Sequence, residues 1–442
     1  MMRPATRQVD DYRTDGWRRD MAGFAARIWA RMRAGAKCGR LSAMSESVEG
    51  SAVVIMSAAV AAVLLAELLR GIRLPVVVLE IALGILVGPQ VLQWAVVHPF
   101  IDGLSQLGLA LLMFLAGFEA DPTRIRGRPL NLAVAGWGVS LVLGLAAGAL
   151  LAATGRVLSG LIVGLALTTT ALGTLLPILR DTGLLDTRFG TFVLAAGTVG
   201  EFGPIVAIAL LLTSDTPVHT ALLLVVFVAI TVGAAVVATR PHPPQVGAVL
   251  RKHLHTSAQL PVRVVMLLIL ALVWLATEFG LDVLLGAFGA GVIVRLASTG
   301  VDIEPLHSKL EGLGFGFLIP VFFVVTGMKF DLDALVESTE ALLRLPMFLL
   351  LFLLVRGLPA WLCRADLPRS QLLPLALMSG TALPLVVVIT NIGVETDRMT
   401  SADQAALVGA AMVSVMVYPQ LAAALLRRTR AKPSGEASVV EA

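Results

Sequence analysis

The chain has 442 residues, 14% of them charged and 57% hydrophobic, with a net charge of +4 and a mean hydropathy of +0.87. An ordinary soluble domain carries about 25% charged residues, so this one could not cover a water-facing surface, and the same apolar excess excludes intrinsic disorder. The composition is that of an all-α polytopic membrane protein, and so small a net charge gives no argument for nucleic acid as a partner.

In chain order, the first element is a tail over residues 1–48. Ten of the 34 basic residues fall in its first 43 positions. Trp17, Met21, Phe24, Ile28 and Met32 recur at helical spacing among arginines, which would make a basic interfacial helix. The alternative is an upstream start, with Met44 opening the true N-terminus as Met-Ser-Glu-Ser. We favour that start, because the topology below puts this end outside, where basic residues are disfavoured. Cys38 and Cys363 have no CxxC spacing, so neither a disulfide framework nor structural zinc is expected.

A transmembrane domain follows over 49–427, and 428–442 forms a short tail. About 20 apolar residues span a bilayer as a helix. Thirteen such segments occur: 51–69, 74–94, 103–119, 129–153, 157–179, 189–213, 217–239, 260–278, 281–299, 309–333, 341–363, 369–393 and 402–426. Only a short turn at Gly280 divides the eighth from the ninth, and Glu278 and Asp282 at that junction favour two spans over one. With the first span entering from outside, nineteen Lys and Arg fall in loops assigned to the cytoplasm and four in the opposite loops. That bias predicts an external N-terminus and a cytoplasmic C-terminus.

The fifth and twelfth spans have polar, helix-disfavouring centres. In the fifth, Thr168, Thr169, Thr170, Gly173, Thr174 and Pro177 lie at bilayer depth; in the twelfth, Ser379, Gly380, Thr381 and Pro384 do. Irregular backbone is tolerated in a membrane only where protein or a cavity surrounds it. A matched pair in two halves points to inverted repeats, with two broken crossing helices and a midplane site.

Charges at depth are costly, at least about 2.5–3.5 kcal/mol on insertion scales. Three lie well inside their spans: Glu80, Glu201 and Arg356. Glu201 sits between Gly200 and Gly203-Pro204. A carboxylate there holds either a proton or a hard monovalent cation, since burial favours its neutral form and a cation its charged form. Arg356 stays charged, and we expect it to offset a buried carboxylate or to bond unwound carbonyls. Glu80 is read equally as its partner or as part of the ion path. Glu67, Glu119 and Glu278 lie near span ends, where reaching the interface suffices.

Several runs then resemble one family. Leu74-Pro75 to Gly84 and Gly88-Pro89, Leu107-Gly108 to Gly117-Phe118-Glu119-Ala120-Asp121, Leu285-Gly286 to Gly291, and Pro320 to Gly327 with Asp331 are similar to stretches of the monovalent cation:proton antiporters, the sodium/hydrogen exchanger family. The resemblance covers about 51–426. It implies thirteen or so spans with inverted repeats and two broken helices crossing near an ion site. The family's ion-binding carboxylate matches Glu201, its preceding Asn, Asp or Gln matches Gly200, its buried base matches Arg356, and its broken fifth span matches Thr168 to Thr174. Glu in place of the usual Asp, and Gly200 in place of a polar neighbour, are departures. The family's frequent nucleotide-binding regulatory domain has no counterpart in the stretch from Lys432 to Ala442.

The expectation is a cell-membrane antiporter exchanging Na+ or K+ for H+ by alternating access. One titratable carboxylate suggests one proton per cation, without net charge movement. Glu201 would bind, with oxygens from Thr168, Thr169, Thr170 and Thr174, while Arg356, Glu80, Gly200, Ser379 and Thr381 support the site. No cofactor is expected; lipid and a second copy of the chain, as a homodimer, are the expected partners. A gated channel is the alternative, since pores also use carboxylates and carbonyls. An intramembrane enzyme is disfavoured, because no HExxH, GxSxG or GxxxxGK[ST] occurs.

Overall fold

A backbone in hydrocarbon must satisfy its own polar groups, and every regular element among the described residues is helical. The structure is a computed structural model that describes residues 47–69, 75–119, 125–211, 217–239, 258–298, 304–337 and 339–430. The basic tail before residue 47, the segment after residue 430 and several loops that carried the charge count lie outside the described residues.

Helix α1 (Val48–Leu68) starts at Ser47, whose side chain accepts a hydrogen bond from the Gly50 N–H. It is followed by α2 (Val76–Val87), α3 (Pro99–Glu119) and α4 (Arg128–Ala153). The fifth sequence span divides into α5 (Gly160–Leu167) and α6 (Leu172–Asp181), joined by an unwound stretch at 168–171. Helices α7 (Arg188–Leu211) and α8 (Pro217–Thr239) follow.

Gly280, at φ +67°, turns the chain between α9 (Leu260–Glu278) and α10 (Val283–Ala297). The two spans expected on either side of it are therefore separate helices. Asp282 caps α10 by accepting from the Leu284 N–H at 2.9 Å. The tenth span is α11 (Glu304–Leu313), a π turn over Gly314–Leu318, and α12 (Ile319–Lys329). Short α13 (Leu332–Glu337) leads to α14 (Thr339–Gly357), which tightens into a 3-10 segment over Leu358–Ala365. The twelfth span is α15 (Arg369–Ser379) and α16 (Pro384–Glu395), broken at 380–383, and α17 (Ser401–Arg430) closes the described chain.

Among the described residues, nine helices are long and apolar enough to cross a membrane by length and composition, and four apolar helices are shorter. The broken twelfth segment is the most enclosed of the nine, with 83% of its apolar window buried; that places it at the centre of the bundle. Helices α4 and α5 approach backbone to backbone: a Cβ added at Gly148 would meet the Gly160 carbonyl. Small residues permit such contact where no hydrophobic drive between helices exists, and it holds the first half of the broken fifth segment in place.

Candidate functional site

The two unwound stretches meet. The Ala171 N–H donates to the Thr381 carbonyl at 2.8 Å, and Thr170 Oγ1 donates to the Ser379 carbonyl at 2.6 Å. Each break thus satisfies backbone groups that the other helix released, which is how unwound chain survives inside a membrane protein. Ser414 of α17 completes the second break, accepting from the Ala382 N–H and donating to the Ala382 carbonyl, both at 3.1 Å.

Arg356 lies 4% exposed beside this crossing. Its Nε donates to Thr170 Oγ1 at 2.8 Å, its Nη1 to Ser140 Oγ at 3.1 Å and its Nη2 to the Ala196 carbonyl at 3.0 Å. The guanidinium fork therefore ties α14 to the first break, to α4 and to α7. Of the two kinds of partner expected from the sequence, a buried carboxylate or the carbonyls of a broken span, the described residues show no ion pair with Glu80; Arg356 bonds neutral oxygens, one of them the hydroxyl of Thr170 in the unwound stretch. The physical reason is that a fixed fork of donors is matched by convergent hydroxyl and carbonyl oxygens, and the crossing supplies them. Glu80 is buried on α2, which packs along α12.

Glu201 is 3% exposed on α7. The backbone N–H of Leu172, the first residue of α6, faces its carboxylate, so the positive end of a half-helix is turned to the negative group. Its Oε2 is buried with no hydrogen-bond partner. Next to it, Gly200 accepts from the Thr170 N–H through its carbonyl at 2.9 Å. A Cβ at Gly200 would run into Arg356 Nη2 and Thr170 Oγ1. The missing side chain is thus the room through which arginine and threonine reach each other.

The threonines divide into two kinds. Thr168, Thr169 and Thr174 donate to carbonyls three residues back, Leu165, Ala166 and Ala171, at 2.7, 2.9 and 2.9 Å. Their oxygens keep lone pairs. Thr170 instead bridges Arg356 and the second break, using its proton and a lone pair structurally. Thr381 donates to the Leu377 carbonyl at 3.2 Å. A cavity of about 30 Å³, room for one or two waters, is lined at its polar end by Arg356 and Ser379 and elsewhere by Trp137, Phe192 and Cys363.

The sequence reading did not single out Ser140 or Ser414. Both are fully buried, and the only signal available was a lone hydroxyl in an apolar span.

Unwound centres that pair across a bundle, with a carboxylate and a guanidinium buried beside them, define a helical membrane protein of the transporter type. The fold is similar to that of the sodium proton antiporter MjNhaP1 from Methanocaldococcus jannaschii, with a TM-score of 0.61 at 16% identity, covering 86% of this chain and 98% of that one. Residues 55–428 match the family described as "Sodium/hydrogen exchanger, transmembrane". The chain belongs to the sodium/hydrogen exchanger family. It is 25% identical over 381 residues to the "Na(+)/H(+)-K(+) antiporter GerN" of Bacillus cereus, covering 82% of this chain and 94% of the relative. YjbQ of Bacillus subtilis (strain 168), provisionally named a Na(+)/H(+) antiporter, is 27% identical over 366 residues, which are 79% of this chain and 58% of the relative. "Cation/H(+) antiporter 17" of Arabidopsis thaliana is 29% identical over 377 residues, 77% of this chain and 44% of the relative. The chain thus spans only about half the length of some curated relatives.

Proposed function

We propose that the chain exchanges a monovalent cation, Na+ or K+, for H+ across the cell membrane by alternating access. The observation that carries this reading is Glu201: a buried carboxylate with one oxygen unbonded, facing the N-terminus of a half-helix where two breaks cross. An isolated carboxylate so placed is stable either protonated or beside a cation, and cannot hold both. That exclusivity couples the two fluxes. Thr168, Thr169 and Thr174 supply further oxygens, while Thr170 and Arg356 position the crossing, Ser379 and Thr381 lend backbone acceptors to it, and Gly200 keeps it open. With one carboxylate exchanging its load, one proton moves per cation and no net charge is transferred.

The same proposal places thirteen spans in the membrane with the N-terminus outside and the C-terminus cytoplasmic, and makes the chain a homodimer in lipid. Exposed apolar side chains such as Val60, Leu64, Leu222, Leu267 and Trp274 suit hydrocarbon or a second copy. Glu80 belongs to this proposal as a second buried carboxylate on α2, outside the crossing itself.

The test is cation-driven proton flux in reconstituted vesicles with a panel of alkali cations. Glu201→Gln is isosteric and cannot exchange a proton, so flux should vanish; exchange at the wild-type rate in that variant refutes the assignment. A current under clamped potential would refute electroneutrality. Flux that persists down a cation gradient without proton coupling would favour the channel.

A further inference from the structure

A second cluster of ionisable groups lies at the end of the bundle where α3 closes and α11 opens. His307 and Glu311 are one turn apart on α11 and so share a face, and Glu119 ends α3. Their ligand atoms all lie within 4.8 Å of one another. His307 is 8% exposed, and its Nε2 is buried without a hydrogen-bond partner. That nitrogen is 3.4 Å from Glu311 Oε1.

We propose that Glu119, His307 and Glu311 bind a divalent transition-metal ion, with water completing the shell. Bonds of about 2.0–2.1 Å in a tetrahedral site put neighbouring donors about 3.4 Å apart, the spacing that the His307–Glu311 pair already has. Bringing in Glu119 requires the remaining donors to close by no more than about 1.4 Å on the same geometry. The imidazole need not move: Phe118 stacks on it with centroids 5.1 Å apart and planes 24° apart. Buried polar nitrogens are rarely left unbonded, and a metal supplies this one with a partner. One imidazole with two carboxylates suits Zn2+, Mn2+ or Co2+; Mg2+ and Ca2+ take oxygen alone.

The test uses the purified full chain in detergent and Zn2+ as the probe, read by calorimetry, so it does not depend on the exchange reading. The wild type should bind one equivalent that is weakened more than about ten-fold, the loss caused even by removing a supporting partner, in each of His307→Gln, Glu311→Gln and Glu119→Gln. His98→Gln, which alters a described histidine outside the cluster, should retain it. Binding undiminished in the three variants, or no saturable binding by the wild type, overturns the proposal. X-ray absorption of the Zn2+-loaded wild type needs no variant: one imidazole among oxygen donors is expected, and a shell without imidazole overturns it equally.

Discussion

Thr170→Val isolates what holds the crossing together. The substitution keeps the branched shape and removes one oxygen, which donates to the Ser379 carbonyl at 2.6 Å and accepts from Arg356 Nε at 2.8 Å. Hydrogen bonds between membrane helices average about 0.6 kcal/mol and reach about 1.7, so two such bonds give about 1–3 kcal/mol. Losing Thr170 also leaves a guanidinium N–H unpaired in a buried place, which moves the expected loss to about 2–3 kcal/mol. Thr169→Val is the control. Its hydroxyl bonds only the Ala166 carbonyl one turn back, a contact whose removal should cost below about 0.5 kcal/mol. Titration of the purified protein with SDS, followed by tryptophan fluorescence, measures both. Equal losses in the two variants would refute the claim that Thr170 braces the breaks. So would strict additivity with Arg356→Lys, because residues in direct contact should couple by about 0.5–3 kcal/mol.

Three further expectations use the same titration. Gly148→Val puts a side chain into the Gly160 carbonyl, while Gly138→Val meets nothing within 4 Å; overpacking should cost the first about 1–3 kcal/mol and leave the second near wild type. Asp403, 2% exposed, accepts from Arg344 Nη1 at 2.5 Å and from Thr400 Oγ1 at 3.0 Å. Breaking a buried pair costs about 3–5 kcal/mol, but Arg344 also contacts Glu340 at 2.9 Å, so Asp403→Asn should lose less, about 1–3 kcal/mol; no loss would show that the pair contributes nothing. Ser140→Ala removes one of the three Arg356 bonds and should cost about 0.6 kcal/mol, and in no case more than Thr170→Val.

The breaks were legible because threonine, glycine and proline at bilayer depth contradict the helix around them; Thr168, Thr169 and Thr170 fall in the unwound stretch at 168–171 and Gly380 and Thr381 in that at 380–383, while Gly173, Thr174, Pro177, Ser379 and Pro384 lie in the flanking half-helices. Gly280 was legible for a related reason, as a conformationally free residue between charges. What the sequence could not carry was partnership. Arg356 finds its acceptors 160, 186 and 216 residues away, and two of them are ordinary hydroxyls while the third is a backbone carbonyl that no residue type announces. A buried guanidinium invites the expectation of a carboxylate; the crossing instead meets its geometry with neutral oxygens. Glu119 illustrates the same limit. Its place at a span end is visible in sequence, but its nearness to His307 and Glu311 depends on how α3 and α11 meet.

The π turn over Gly314–Leu318 takes up one extra residue in the middle of the tenth span. A π turn holds one residue more than an α turn, and each residue is worth about 100° of rotation about the axis. Helices α11 and α12 share a path, with the π turn and α12 both packed against α3 and α12 also laid along α2, while the sequence register of their faces differs by the one extra residue. Removing a single residue from this turn would let it close as an ordinary α turn, with His307 and Glu311 still beside Glu119 and α12 still along α2. The extra residue is thus absorbed where it stands, and a relative one residue shorter here would present the same side chains to the same neighbours.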